Sequence, residues 1–280
     1  MKPVDAIVCG LVALAACGGG DSDLKGGTDG SDSDDTSTAG ELGVGALEIH
    51  YFHDKAWKVA AYDGLVLVTT QHGEEIWSWD PSTQVVEEFA RDLGDVQGVT
   101  SWLSSIWVTH SISGVEGSVS ELTVPNSLSL AATSTASGEL MRRPLEMAPL
   151  GDGLAIADMG GPRVWTLAPG ADRVEAIETP EPPLTLETMD DQLFVGTDSG
   201  VFLWDDSAWS LVDDRPAYGL ASHQGQLLAA NAADGLFVAG EEGSTPLDGP
   251  ARPGSMVAVG DALFFVDEVG GSLWSLPSVP

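Results

Sequence analysis

Cysteine is almost absent from this chain. The two cysteines, Cys9 and Cys17, lie within the first seventeen of 280 residues, so the rest of the chain has no disulfide, thiolate metal site or cysteine nucleophile. Basic residues are also scarce, with Lys and Arg totalling 11 against 43 Asp and Glu, for a formal net charge of -32. Without a basic stripe to replace phosphate counterions, we expect no nucleic-acid partner.

The N-terminal apolar run at residues 6–17, AIVCGLVALAAC, is too short to span a bilayer but is typical of a secretory signal. Its end, LAAC, resembles the lipobox of bacterial lipoproteins. This resemblance implies a signal peptide over residues 1–16 and acylation of Cys17, which would anchor the chain to a membrane. Because Gly18 rather than Asp follows, it also implies the outer membrane of the cell envelope. An ordinary signal peptide with a coincidental cysteine is the alternative.

Apolar side chains are rare from Cys17 to residue 45, where Gly, Ser, Thr and Asp dominate. Such a segment cannot bury enough apolar surface to offset the entropy of ordering. The composition therefore predicts a disordered acidic tether. It leaves residues 46–280 as the folded domain.

Helical periodicity is missing from that domain, whereas short apolar runs recur. Six of them begin at Leu65, Ile106, Leu154, Leu193, Leu227 and Leu263. Their spacing, roughly 34 to 48 residues, is that of one propeller blade. The runs do not alternate with polar residues, which indicates strands buried on both faces, as in radially stacked sheets. The pattern predicts an all-β, six-bladed β-propeller.

A second ladder of apolar residues follows most of these runs and carries an aromatic at one repeat position. The aromatics are Trp77, Trp165, Phe202, Phe237 and Trp274. Recurrence at blade period is typical of a side chain wedged between neighbouring blades. One further strand, residues 46–52 (ALEIHYF), has no blade of its own. We expect it to become the outer strand of blade six and so to close the ring.

The segment at residues 144–170, PLEMAPLGDGLAIADMGGPRVWTLAPG, resembles a repeat of the NHL and SMP-30-type six-bladed propellers. In those families an inner strand P-x-G-[IL]-A precedes DG-L-x-V-A-D. The resemblance extends diffusely over residues 57–280. It implies the same fold. It also suggests a lactonase as an alternative function; SMP-30-like lactonases bind a divalent ion at the channel mouth. Their Glu-Asn-Asn-Asp ligand set has no counterpart at matching positions here.

Counting back from each apolar run gives the residues expected around the central channel. Eleven positions back lie the loops that enter the inner strands, and eight positions back lies a ring deeper in the channel. The candidates for ligand binding are Asp54, Asp95, Arg143 and Arg252 at the entrance, Trp57, Glu146 and Thr185 in the ring, and Tyr218 in the inner strand of blade five. Glu146 either faces the axis or bonds sideways between blades.

Arg143 and Arg252 belong to blades three and six, which face each other in a six-fold ring. Arginine can hold a carboxylate through two parallel hydrogen bonds. We therefore expect the funnel formed by these loops to bind a small anionic ligand or an acidic peptide end. The alternative is that each arginine pairs with a nearby carboxylate of this acidic chain.

No catalytic residues, metal ligands or cofactor motif can be argued from the sequence. We therefore expect a monomeric, non-enzymatic binding or scaffold module, lipid-anchored in the cell envelope, whose partner is a small anionic ligand or an envelope protein. The alternative function is an SMP-30-like, divalent-metal-dependent hydrolase or lactonase.

Overall fold

The computed structural model describes residues 48–50, 56–71, 73–112, 116–123, 127–245, 247 and 250–276. These residues form strands, turns and loops, and none of them lies in a helix long and apolar enough to cross a membrane. Cys17, the tether and Asp54 fall outside the described residues.

The strands form six antiparallel sheets, of which five are made of consecutive strands and one combines the last three strands with the first. Blade one contains β2 (Ala56–Tyr62), β3 (Leu65–Thr70), β4 (Ile76–Asp80) and β5 (Val85–Ala90). Blade two contains β6 (Val96–Trp102), β7 (Ser105–Ile112), β8 (Glu116–Thr123) and β9 (Ser127–Ala132). Blade three contains β10 (Pro144–Leu150), β11 (Gly153–Asp158), β12 (Arg163–Leu167) and β13 (Glu175–Glu178).

Blade four contains β14 (Thr185–Met189), β15 (Gln192–Gly196), β16 (Val201–Trp204) and β17 (Trp209–Asp213). Blade five contains β18 (Gly219–His223), β19 (Gln226–Asn231) and β20 (Gly235–Val238), with a single bridge from Leu236 to Thr245 at its outer edge. Blade six contains β21 (Pro253–Val259), β22 (Ala262–Asp267), β23 (Ser272–Leu276) and, from the N-terminal side, β1 (Glu48–His50).

The first strand of each blade contacts the first strands of both neighbouring blades, and β21 contacts β2 to complete the circle. The protein is therefore a six-bladed β-propeller, as predicted. The closure by the N-terminal strand is also confirmed: β1 pairs antiparallel with β23, with Glu48 opposite Ser275, Ile49 opposite Trp274 and His50 opposite Leu273.

Hydrophobic residues pack between neighbouring blades rather than in one central core. Each of the six blade boundaries has its own buried cluster. Between blades two and three, for example, Trp102 packs with Met147, Ile156 and Trp165. Burial on both faces of each sheet explains why the apolar runs in the sequence are continuous rather than alternating.

The recurring aromatics occupy one register position, opposite the middle of the second strand of each blade. Trp165 and Phe237 are completely buried in clusters between blades, and Trp274 packs against another. These three confirm the predicted wedge role. Trp77 is only partly buried, and its indole N–H donates to Glu75 Oε2 at 3.2 Å.

Candidate functional site

The inner strands bring a ring of residues toward the propeller axis. In blade one, Lys58 pairs with Thr69, whereas a bulge between Ala56 and Lys58 leaves Trp57 out of the ladder. The residues at the matching position of the other blades are Gly98, Glu146, Thr185, Gly219 and Ser255.

The expectation that Trp57 occupies the ring in blade one is therefore wrong, and Lys58 is there instead. The count began at Leu65, which pairs with Tyr62 at the hairpin end of the strand. In blade two the residue at that hairpin position is Ser105, so the apolar run there begins one residue later. Because Leu65 is apolar and Ser105 is polar, counting eight residues back from the apolar run reaches Trp57 in blade one instead of Lys58. The signal that sequence reasoning missed was a lysine within an apolar inner strand.

Two ring positions are glycine because the inner strands come too close for a side chain. A Cβ on Gly98 would lie 1.8 Å from the carbonyl oxygen of Leu145, and one on Gly219 would lie 2.0 Å from that of Gly254. The other four positions have polar side chains. Lys58 and Thr185 contact Glu146, whereas Ser255 Oγ accepts a hydrogen bond from the Val59 N–H at 3.2 Å.

Lys58 is the centre of this polar layer and is only 2% exposed. Its Nζ lies 3.1 Å from Glu146 Oε1 and 3.0 Å from Glu268 Oε1. Burial is the largest influence on the pKa of Lys58 and acts to lower it, but the two carboxylates together raise it above its ordinary value. Lys58 is therefore a charged side chain that bridges carboxylates of blades three and six.

Glu146 makes both of the contacts that the sequence left open. One oxygen faces Lys58 across the channel, and the other accepts a hydrogen bond from Thr185 Oγ1 at 2.5 Å and one from the Leu186 N–H at 3.4 Å. Thr185 is completely buried. It thus positions Glu146 from the side and is not at the surface of a cavity.

Above this layer lies a cavity of about 260 Å³, which we call the funnel. Its lining residues are Trp57, Lys58, Gln71, Arg143, Leu145, Met159, Leu184, Tyr218, Arg252 and Glu268. Four of the candidate residues, Trp57, Arg143, Tyr218 and Arg252, thus come together around one space. Glu146 lies just below, and Asp95 is absent from the lining and accepts a hydrogen bond from Gln97 Nε2 at 2.7 Å.

Two equivalent loops carry the funnel arginines, each held by a buried aspartate at the end of a second strand. Asp158 accepts hydrogen bonds from the backbone N–H of Arg143 at 2.7 Å and from the Trp165 indole at 2.8 Å. In blade six, Asp267 accepts one from the backbone N–H of Arg252 at 3.0 Å. Aspartates commonly cap turns in this way, and the two hydrogen bonds hold the backbone of both arginines in place.

The two guanidinium groups are nevertheless in different situations. Arg252 Nε lies 3.3 Å from Glu268 Oε2, and its guanidinium stacks over the Tyr218 ring at 4.4 Å from the centroid. Arg143 is exposed, and its side chain makes no hydrogen bond or ion pair with any residue that the structure describes. Among the described residues of the funnel, Arg143 is therefore the cation without a carboxylate partner.

Other arginines are committed to structural contacts. Arg215 forms two hydrogen bonds with the Asp213 carboxylate, at 2.9 and 2.6 Å, and stacks on Phe237. Arg163 contacts Glu139 and donates to Glu178 at 2.8 Å. These two arginines pair with nearby carboxylates, and so does Arg252 with Glu268, which is the alternative considered for it from the sequence.

Below the Lys58 layer is a second, smaller cavity of about 180 Å³, whose walls include Glu146 and Glu187. Burial, the largest cause, and the negative charge of Glu146 raise the pKa of Glu187 to about 7, although the Thr188 backbone N–H bonds to this carboxyl group. The Lys58 layer therefore separates a cationic funnel from an acidic cavity along one channel.

A divalent-metal site is not formed by the side chains that approach the axis. Over the described parts of the chain, no group of three or more His, Cys, Asp or Glu side chains is arranged to hold a metal ion. Glu146 and Glu268 already share Lys58, and Arg143 lies in the same funnel. A dication would have to displace a buried ammonium group beside an arginine, so this donor set does not fit one.

No protein-family model and no curated protein match the sequence. Solved structures do match the fold. A putative gluconolactonase superposes with a TM-score of 0.69 at 15% identity, covering 84% of this chain and 92% of that one. A streptogramin B lyase gives 0.56 at 12% identity, with 82% and 97% covered. The PQQ-bound aldose sugar dehydrogenase from Streptomyces coelicolor gives 0.57 at 12%, with 83% and 98% covered.

These likenesses show the propeller fold. At such low identity they carry no activity to this chain, since one propeller scaffold supports many different sites.

Proposed function

We propose that the propeller is a non-enzymatic binding module and that the funnel binds a small anionic ligand through Arg143. The observation that carries this proposal is Arg143, an exposed arginine that lines the funnel and has no carboxylate partner among the described residues of this chain of net charge -32. An acidic chain with 11 basic residues has carboxylates in excess. An arginine that lines a cavity and has no carboxylate there can hold a ligand that supplies the acceptor.

The rest of the funnel suits the same role. Arg252 is held in place by Glu268 and by stacking on Tyr218, so its orientation costs little to fix when a ligand enters. Trp57 and Tyr218 give flat apolar walls on which a ligand can pack. The buried Lys58 layer closes the floor, so a ligand is held at the mouth and does not pass along the channel.

Replacing Arg143 by Ala tests this proposal by isothermal titration calorimetry with a panel of small carboxylates. A hydrogen bond to a charged group contributes about 1.5–3 kcal/mol, so we expect the variant to bind the best acid of the panel about 10- to 100-fold more weakly. Arg142→Ala is the matched control, because Arg142 is also exposed but does not line the funnel. Equal losses in both variants would contradict a role for the funnel.

A lactonase is the second candidate, supported by the fold likeness to the gluconolactonase neighbour. Because the axial side chains do not fit a divalent cation, no metal-dependent step follows from this structure. The two candidates separate by one measurement on the purified protein: hydrolysis of simple lactones with and without added divalent cations. Turnover that depends on a stoichiometric metal would favour the lactonase over the binding module.

We further propose that the mature chain is a lipoprotein of the cell envelope, anchored through Cys17. The support is the sequence LAAC at residues 14–17 followed by a Gly- and Asp-rich segment. Cys17→Ser is expected to leave an unprocessed precursor that takes up no radiolabelled palmitate in the host cell. Cys9→Ser is the matched control and should be processed and labelled normally. Normal labelling of the Cys17 variant would refute the anchor.

A further inference from the structure

The charges of the funnel can be counted from the ion contacts. The Asp158 and Asp267 carboxylates accept N–H groups of the arginine loops and do not line the funnel. Its lining and its floor contain three described cations, Lys58, Arg143 and Arg252, and two described carboxylates, Glu146 and Glu268. Lys58 contacts both carboxylates, and Arg252 contacts Glu268. Among these five described side chains, three positive and two negative charges leave one positive charge, and the contacts place it on Arg143.

This balance cannot be rearranged easily when a ligand binds. Moving Lys58 toward a ligand would strip Glu146 of its cation at a buried position, which is strongly unfavourable. Moving Arg252 would break both its contact with Glu268 and its stacking on Tyr218. One negative charge from a ligand therefore completes the site, whereas a second would be desolvated next to Glu268 with no cation left for it.

The walls of the funnel specify the rest of the ligand. Leu145, Met159 and Leu184 line it together with the faces of Trp57 and Tyr218, so half of its lining residues offer apolar or aromatic surface to a ligand. The indole N–H of Trp57 is buried and has no hydrogen-bond partner among the described residues. A volume of about 260 Å³ limits the body of the ligand to a small one.

From this charge balance and these walls we infer that the funnel selects a small monocarboxylic acid with an apolar body and discriminates against dicarboxylates of the same length. The inference rests on the proposed function, because it specifies the ligand class of the same site. It goes beyond that proposal in stating the number of charges and the chemistry of the ligand body. Arg143 pairs with the carboxylate, and the aliphatic or aromatic part packs on Trp57 and Tyr218.

The test is calorimetric titration of the purified full-length protein with hexanoate, adipate and acetate. Hexanoate and adipate share a six-carbon chain and differ by one carboxylate, and acetate lacks the apolar body. We expect hexanoate to bind at least tenfold more tightly than either of the others. Adipate binding as tightly as hexanoate overturns the inference, as does acetate binding as tightly as hexanoate.

A second arm changes the charge of the funnel itself. Glu268→Gln removes one of the two carboxylates, so adipate should gain at least tenfold relative to hexanoate, while Glu242→Gln, an exposed residue outside the funnel, should leave the ratio unchanged. No change of the ratio in folded Glu268→Gln contradicts the charge balance. If the variant does not fold, the comparison of the three acids in the wild type decides alone.

The two levels of proposal fail in different ways. If adipate binds best and Arg143→Ala weakens every acid, the ligand class is wrong but the anionic binding module stands. If none of the three acids binds, or if binding is insensitive to Arg143→Ala, both are wrong.

Discussion

Lys58 shows how a single side chain divides the channel of this propeller. A lysine that is 2% exposed is tolerated because two carboxylates from different blades approach its ammonium group. Buried ion pairs add little net stability, since the cost of desolvation offsets the attraction, but breaking one by removing a partner costs about 3–5 kcal/mol. The Lys58 contact instead sets the position of Glu268, which lines the funnel and there contacts Arg252.

Glu187, on the other side of the Lys58 layer, makes the stability of the protein depend on pH. Its folded pKa of about 7 lies above the ordinary 4.5, so the folded state favours the protonated form. The stabilising contribution is therefore fully present below the unfolded pKa and is lost as the pH rises through 7. Over that interval the loss amounts to about 1–3 kcal/mol, allowing for partial solvent contact.

Glu187→Gln keeps the shape of the protonated side chain and removes its titration. Urea unfolding at pH 5, 6, 7 and 8 should show a smaller loss of unfolding free energy for the variant than for the wild type. Glu87→Gln, an exposed carboxylate on an outer strand, serves as the control and should follow the wild type. Parallel curves for Glu187→Gln and wild type would show that Glu187 titrates normally.

At the scale of the element, β1 is the shortest strand with the largest topological role. Its three residues pair with β23, the last strand of the chain, and so join the two ends of the described fold. Without β1, the backbone groups of Leu273 to Ser275 would face an unpaired edge. A short strand at this position stabilises the fold more than an equally short strand elsewhere, because it closes the ring.

Deleting the residues up to and including 50 should therefore lower the unfolding free energy by about 2–4 kcal/mol, from lost ladder hydrogen bonds. For a domain of this size we expect a fall in melting temperature of roughly 5–15 °C, measured by circular dichroism. Deletion up to residue 45 keeps β1 and is the control. The same melting temperature for both truncations would show that closure by β1 contributes nothing.

At the scale of the whole molecule, six separate hydrophobic clusters hold the blades together. Each cluster stabilises one boundary, so the ring behaves as a closed series of similar interfaces. Polar side chains meet in the Lys58 layer, and two glycines let the inner strands approach each other closely. Function can consequently reside in the loops and the channel without disturbing the interfaces.

The propeller architecture was predictable from the sequence because its signals are local. Apolar runs such as residues 65–68 and 263–266 are typical of strands buried on both faces, and their period matches a blade. The unpaired strand before blade one predicted the closure that β1 makes with β23. Arg143, Arg252 and Tyr218 were predicted to lie at the funnel because the repeat places loop residues at one face of every blade.

The charge pattern of the funnel, in contrast, was decided by the tertiary structure. Blade one has the same hairpin register and bulge as blade two, and this register places Lys58 rather than Trp57 in the ring, although the apolar run of blade one begins one residue earlier. Lys58 then meets Glu268, 210 positions away in the sequence. Which arginine keeps a free charge depends on such long-range contacts, because ion pairing is set by distance in space and no local pattern records it.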